Sequence, residues 1–199
     1  MARKFTKIAQ DAFESMQIEA GCVLNKLDVS GTQEVQDADF VCSTSGGIEV
    51  SCKPTFTNFF DDVDNAPDNA IEGLEITGWD CTMAFTTNEA NIATIKLALG
   101  VATNTGNKIA PGFDGIKEAV KDIWWAGDRK DGGWVACCLK NALSKEGLTL
   151  KTTKKGKGQI SCTLTGHVTL ADPRTCPMEF YVEEGSAPAE ANVQEGDEE

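Results

Sequence analysis

The chain has a single histidine among its 199 residues, and no motif that would give it a catalytic partner. There is no Walker sequence, GxGxxG, HExxH or GxSxG nucleophile elbow. His167 shares its parity with Gln159, Ser161, Thr163, Thr165 and Thr169. That is a Ser/Thr-rich strand face, not the base–nucleophile–orienter set that hydrolytic chemistry needs. The expectation is a protein that is not an enzyme. No window approaches the ~18 apolar residues of a membrane-spanning helix. The start, MARKFTKIAQDAF, is basic but has no apolar core behind it. It does not read as a signal peptide, and folding in the cytoplasm is expected. There is also no CxxC pair, although the chain holds eight cysteines. Cys22, Cys42, Cys52, Cys81, Cys162 and Cys176 are scattered, which argues against zinc. Cys137 and Cys138 are neighbours on a predicted strand, so they point to opposite faces. Free and mostly buried thiols are expected, with no metal and no cofactor.

What the chain does have is acid. Its net charge is -13, with seven carboxylates and no base in residues 183–199, so residues 1–182 carry -6. This balance disfavours binding to nucleic acid phosphates or to an anionic membrane. The apolar content, 41%, is that of a globular chain, and 199 residues suffice for one sizeable domain.

Periodicity gives a mainly β chain with one firm helix. A short N-terminal helix is predicted over 7–18, from Ile8, Ala9, Ala12, Phe13 and Met16 on one face. Val23 to Leu27 reads as a first strand, and 30–47 as a polar loop. From Ile48 the alternation is clean: Ile48, Val50, Cys52 and Phe56 face one way, and Pro54 favours an edge position. Leu74 to Phe85 places Trp79, Cys81, Met83 and Phe85 on one face, and Gly78 marks a bulge because Ile76 has the other parity.

The helix is predicted over 87–99. Its capping box runs from Thr86 to Glu89, its stripe is Ile92, Ile95 and Leu99, and Gly100 stops it. A Gly- and Pro-containing loop runs from there to about Lys117. Strands follow at Val120–Ala126, Trp134–Leu139, Leu148–Thr152, Gln159–Leu170 and Met178–Val182, with a hairpin turn at Asp128–Gly133. Trp124 and Trp125 are adjacent, so both faces of their strand want cover. Trp134–Leu139 is apolar on both faces, the pattern of a doubly covered strand. Gln159–Leu170 would span about 40 Å as a single strand. The architecture expected is a sandwich or partly closed barrel. Residues 1–183 form one domain, of which 1–45 are an arm and polar loop, and 184–199 are an acidic tail.

Two charged segments resemble binding motifs and fail the test. The loop DDVDNAPDN, from Asp61 to Asn69, puts Pro67 where an EF-hand needs glycine. The turn holding Lys154, Lys155 and Lys157 has glycines but no following helix, so it is no P-loop. A sharper reading pairs that turn with Asp61, Asp62, Asp64 and Asp68 of a second subunit.

The segments SGGIEVSCKPTFTNF, DVDNAPDN, DIWWAGDR, LKNALSKEGLTLKTTKKGKGQISCTLTGH and PMEFYVEEG carry a family resemblance. In this order, over about Gly46 to Glu184, the chain resembles the major tail (tail tube) proteins of long-tailed, non-contractile bacteriophages. The resemblance implies two packed β-sheets with a flanking helix. It implies hexameric rings stacked into a tube, with a long loop reaching between rings. It also implies a place in the virion tail. The partners would be a tape-measure protein, a tail terminator and tail-tip proteins, with DNA only in transit during genome ejection. Asp61, Asp62, Asp64, Asp68, Trp124, Trp125, Lys154, Lys155 and Lys157 are then expected at subunit interfaces. The rival readings are a tube of a contractile tail or secretion system, and a β-sandwich adhesion module on a virion surface.

Overall fold

The computed structural model describes residues 10–30, 34–68 and 70–185. The strands are β1 (Cys22–Leu24), β2 (Phe40–Cys42), β3 (Thr44–Asn58), β4 (Leu74–Thr87), β5 (Ala102–Thr105), β6 (Lys108–Pro111), β7 (Lys121–Asp128), β8 (Trp134–Ser144), β9 (Thr149–Lys151), β10 (Gln159–Thr165) and β11 (Met178–Glu183). Two helices interrupt them, α1 (Ile92–Leu99) and the single turn α2 (Ile116–Ala119). The protein is mainly β, as its alternation predicts. Among the described residues no helix is long and apolar enough to cross a membrane.

Nine strands form one antiparallel path, β2-β1-β7-β8-β10-β4-β3, with β11 on β8 and β9 on β10. The path folds into two layers because β8 changes partners along its length. Trp134 to Leu139 pair with β11, whereas Leu143 and Ser144 pair with β10. The change falls beside Asn141, whose φ of 46° turns the strand. The two ends of the path meet again at Ser43, the single residue between β2 and β3. A sandwich closed at two corners results, which is the expected partly closed barrel.

The core lies between the layers. Val23, Ile123, Cys137, Leu139 and Met178 come from one side, and Cys81, Met83, Phe85, Ile160, Cys162 and Leu164 from the other. Ala136, Cys137, Cys138 and Leu139 are consecutive and all fully buried, as a doubly covered strand requires. α1 packs against β10 and β8 with Thr94 and Ala98 buried. It stops at Gly100, where φ is +78° and a Cβ would lie 2.5 Å from the Ser144 carbonyl oxygen. Only glycine fits there.

Several expectations need correction. The N-terminal helix is a 3-10 turn, Gln10–Phe13, and residues 7–9 lie outside the described set. The chain beyond it runs along the β7–β8 turn, with Ile18 N–H donating to the Asp128 carbonyl and Lys130 N–H to that of Met16. The polar loop of 30–47 contains β2 and the start of β3; residues 31–33 are outside the described set. The main helix starts at Ile92, not at residue 87. Thr86 and Thr87 stay in β4 because they pair with Ser161 and Ile160 of β10. The cap is Asn91, whose Oδ1 accepts from Thr94 N–H at 2.8 Å, while Glu89 accepts from Ser43 N–H. Only Ile95 of the predicted stripe packs on the core; Ile92 is exposed. The loop expected to reach Lys117 holds the β5–β6 hairpin and α2. β10 ends at Thr165, seven residues long and about 23 Å. Val168 and Leu170 are therefore exposed rather than inward.

Two finer readings of the sequence hold. Pro54 is on β3, the edge strand. The register breaks where Thr55 pairs with Gly78 but Phe56 pairs with Ile76, so β4 bulges beside Gly78.

Candidate functional site

The β3–β4 hairpin is longer than the body that supports it. β10 covers β4 only from Thr82 to Thr87. From Leu74 to Cys81, β4 has β3 as its only pairing partner, so this half is a two-stranded ribbon. Such a ribbon is marginal by itself in water. It nevertheless carries large apolar side chains in the open. Phe56 is 55% exposed, Ile76 47%, Phe59 61% and Ile71 78%. Phe56, expected to face inward, pairs with Ile76, beyond Thr82, the last residue of β4 that pairs with β10. Trp79, opposite Pro54, is 37% exposed. Scattered exposed apolar residues are ordinary, but a cluster on one projecting element marks a contact surface.

The tip of the ribbon is acidic. Phe59 N–H donates to the Gly73 carbonyl at 2.8 Å and closes the loop at its base. Asp61, Asp62, Asp64 and Asp68 are exposed, and none forms an ion pair among the described residues. The sequence has no basic residue between Lys53 and Lys96, and residues 54–79 hold six carboxylates. The basic turn lies at the other end of the same strand. Ile160 pairs with Thr87, so the link carrying Lys154, Lys155 and Lys157 sits past the C-terminal end of β4. The acidic loop enters β4 at Leu74. The 14 residues of β4 separate the two by about 45 Å. The lysines are exposed and also without ion pairs among the described residues. The two charged segments thus cannot meet within one chain. They can meet between chains arranged head to tail.

The tryptophan pair does point both ways. Trp125 packs on the core, and its Nε1–H donates to the Ala20 carbonyl at 3.0 Å. Trp124 is on the outer face, where the chain covers it from its own sheet. The Tyr181 ring is 5.4 Å away and the Lys140 ammonium 5.8 Å from the Trp124 centroid. Within the chain, the cover on this face comes from a local network. Lys140 reaches Glu179 at 3.2 Å and Asp122 at 3.6 Å, and Tyr181 donates to Glu179 at 2.6 Å. Burial alone would lower Lys140, but the Glu179 hydrogen bond and the nearby anions hold it up at about 12. The Tyr181 hydroxyl in turn keeps Glu179 below the usual carboxylate range. Both groups are charged at neutral pH, and Trp124 and Trp125 are both half-buried rather than free.

His167 is a clasp. Its Nδ1 lies 3.1 Å from the Asn141 carbonyl oxygen, and Asn141 Nδ2–H donates to the His167 carbonyl at 3.1 Å. The pair ties the end of β10 to the corner of β8.

Cys42, Cys81, Cys137, Cys138 and Cys162 are buried. Burial pushes Cys137 and Cys162 up to about 12 and Cys138 up to about 11, so these remain unreactive thiols. Scatter along the sequence is not scatter in space, however. Cys52 and Cys81 are direct cross-strand partners, and Cys176 packs against both. Sequence spacing gave no sign of this, because the contact spans 124 residues. Only the Cys52–Cys81 half was accessible in principle, from the alternation of two strands that form a hairpin.

No protein-family model matches the chain, and no curated protein matches it at a significant level.

Proposed function

We propose that this chain is the subunit of a phage tail tube, polymerising as stacked hexameric rings into the conduit for genome ejection. One observation carries the reading: an apolar ribbon with an acidic tip projects from one end of β4, and a basic turn stands at the other. A contact between two different patches on identical subunits is heterologous, and it propagates as a ring or as an open filament. The ribbon is the counterpart of the long inter-ring loop that the sequence resemblance implies, and the mainly β sandwich is the architecture it implies. The six-fold ring, the tape-measure, terminator and tail-tip partners and the virion location come from the resemblance. The mechanism is structural, with no bond made or broken. Net negative charge keeps DNA phosphates from adhering during transit.

Negative-stain electron microscopy over a concentration series tests the assembly. Hollow tubes or stacked six-fold rings are expected. Discrete particles at every concentration, even with tail initiation components added, would overturn the reading.

The charge pairing is tested separately. Lys154→Glu with Lys155→Glu is expected to raise the concentration needed for assembly at low salt and to flatten its salt dependence. Each exposed pair contributes only ~0–1 kcal/mol, but the contact repeats around a ring. Asp61→Lys with Asp62→Lys in the same chain should restore part of the loss. Assembly of the double glutamate variant at the wild-type concentration would remove the pairing from the account and leave the apolar ribbon.

A further inference from the structure

We propose that Cys52, Cys81 and Cys176 form a trithiolate site for a thiophilic divalent cation of the zinc class, with a water as the fourth ligand. The Sγ–Sγ distances are 3.4 Å for Cys52–Cys81, 3.6 Å for Cys81–Cys176 and 3.7 Å for Cys52–Cys176. The three sulfurs form a nearly equilateral triangle. A zinc ion ~2.3 Å from each sulfur sets tetrahedral S···S edges of about 3.8 Å. The triangle therefore needs to open by only a few tenths of an ångström to take the ion. Among the described residues this is the one group of three metal-ligating side chains that converges.

The backbone frame is already set. Cys52 and Cys81 are held in register by the β3–β4 ladder. Gly166 N–H donates to the Cys81 carbonyl at 2.9 Å, and Lys140 N–H donates to the carbonyl of Pro177, next to Cys176, at 2.8 Å. Each thiol thus stands on a strand or loop fixed by other bonds. Cys81 is fully buried, whereas Cys52 and Cys176 are part-exposed, which leaves one side open for a water ligand. This is the ligand count of a zinc centre with an open position, three protein ligands and one exchangeable one. Binding replaces the thiol protons with the ion, and three thiolates with one divalent cation leave a single negative charge. The position has a structural consequence. The site pins the segment between β10 and β11 to the ribbon at its base, one residue beyond Thr82, the last residue of β4 that pairs with β10. The proposal does not depend on tube assembly.

The test uses the full chain, reduced with a non-thiol reductant and freed of metal, titrated with Co²⁺ and then Zn²⁺. The expected result is one Co²⁺ per chain with a thiolate-to-cobalt charge-transfer band, displaced by Zn²⁺, and a higher Tm with zinc than without. Cys176→Ser should weaken binding more than about tenfold, since loss of even an outer-shell partner of a metal ligand costs about 10–100-fold. Cys22→Ser and Cys137→Ser should leave affinity unchanged. Because Cys176 is part-exposed on a loop, its variant should keep the wild-type far-ultraviolet circular dichroism spectrum. Three results would each overturn the site. These are absence of the charge-transfer band, full-affinity binding by Cys176→Ser, and a mass deficit of two hydrogens mapping to a Cys52–Cys81 disulfide in the protein as isolated. Alkylation of the three thiols, which should abolish binding in the otherwise unmutated chain, gives a second readout if the serine variant fails to fold.

Discussion

On the tail-tube reading, Phe56→Thr combined with Ile76→Thr is expected to suppress tube formation at the wild-type concentration and to leave the melting temperature of the free subunit within about 2 °C of wild type. Both side chains are about half exposed, and they face each other across the ribbon. Threonine keeps the β preference of each position and removes only apolar bulk. Exposed substitutions away from special features change stability by about 0.5 kcal/mol or less, which in a domain of this size is a degree or two. Assembly is another matter. Fully burying a large apolar side chain stabilises by ~1.5–3 kcal/mol, and about half of each is still exposed in the free subunit, so two per subunit amount to about 1.5–3 kcal/mol for each ring-to-ring contact. A loss of that size raises the assembly threshold by about one to two orders of magnitude. Sedimentation and electron microscopy measure the one effect and thermal melting the other. Tubes at the wild-type concentration would show that the ribbon is not the contact.

Leu139→Ala has the opposite signature, with a large loss of stability in the free subunit. Leu139 is fully buried on β8, opposite Ile123 of β7 and Met178 of β11. It also packs against Gly166, where any Cβ would lie 2.7 Å from its Cδ1. Three strands and the corner after β10 converge on this side chain, so the surroundings cannot collapse into the space it leaves. A loss of about 2–5 kcal/mol is expected, with the urea m-value unchanged. At about 2–4 °C per kcal/mol, the melting temperature falls by roughly 4–20 °C. A loss below about 1 kcal/mol would mean that β8 is not the centre of the core.

The contrast between these residues shows what the sequence makes legible. Alternation identifies β3 and β4, because a strand packed on one face writes its burial into a period of two, whereas β7 and β8 are read from apolar residues on both faces. The parity change of Ile76 marks the bulge at Gly78, and the missing N–H of Pro54 marks the edge strand. Alternation could not say where the cover ends. Phe56 continues the inward pattern of Ile48, Val50 and Cys52, yet it stands past Thr82, the last residue of β4 that β10 reaches. Val168 and Leu170 mislead in the same way, since their alternation outlasts the strand that began it. The helix start was misplaced because Thr86 and Glu89 have capping chemistry, while β10 holds Thr86 and Thr87 in the sheet. The acidic and basic segments were visible as composition; their placement at opposite ends of one strand was not. The meeting of Cys176 with Cys52 and Cys81 depends on the path of the whole chain and leaves no local trace.

The outer edge of β3 also bears on aggregation. A long free edge invites another molecule to add a strand, and uncontrolled addition ends in insoluble fibres. Near the body this edge is interrupted by the irregular register between Thr44 and Ile48, and further out Lys53 and Pro54 place a charge and a missing donor on it. The fifteen-residue edge is thereby divided into a regular stretch, Ile48–Cys52, and a short one beside the tip that the bulge at Thr55/Phe56 breaks again. On the tail-tube reading, such interruptions separate ordered growth through side chains and charge from uncontrolled strand addition.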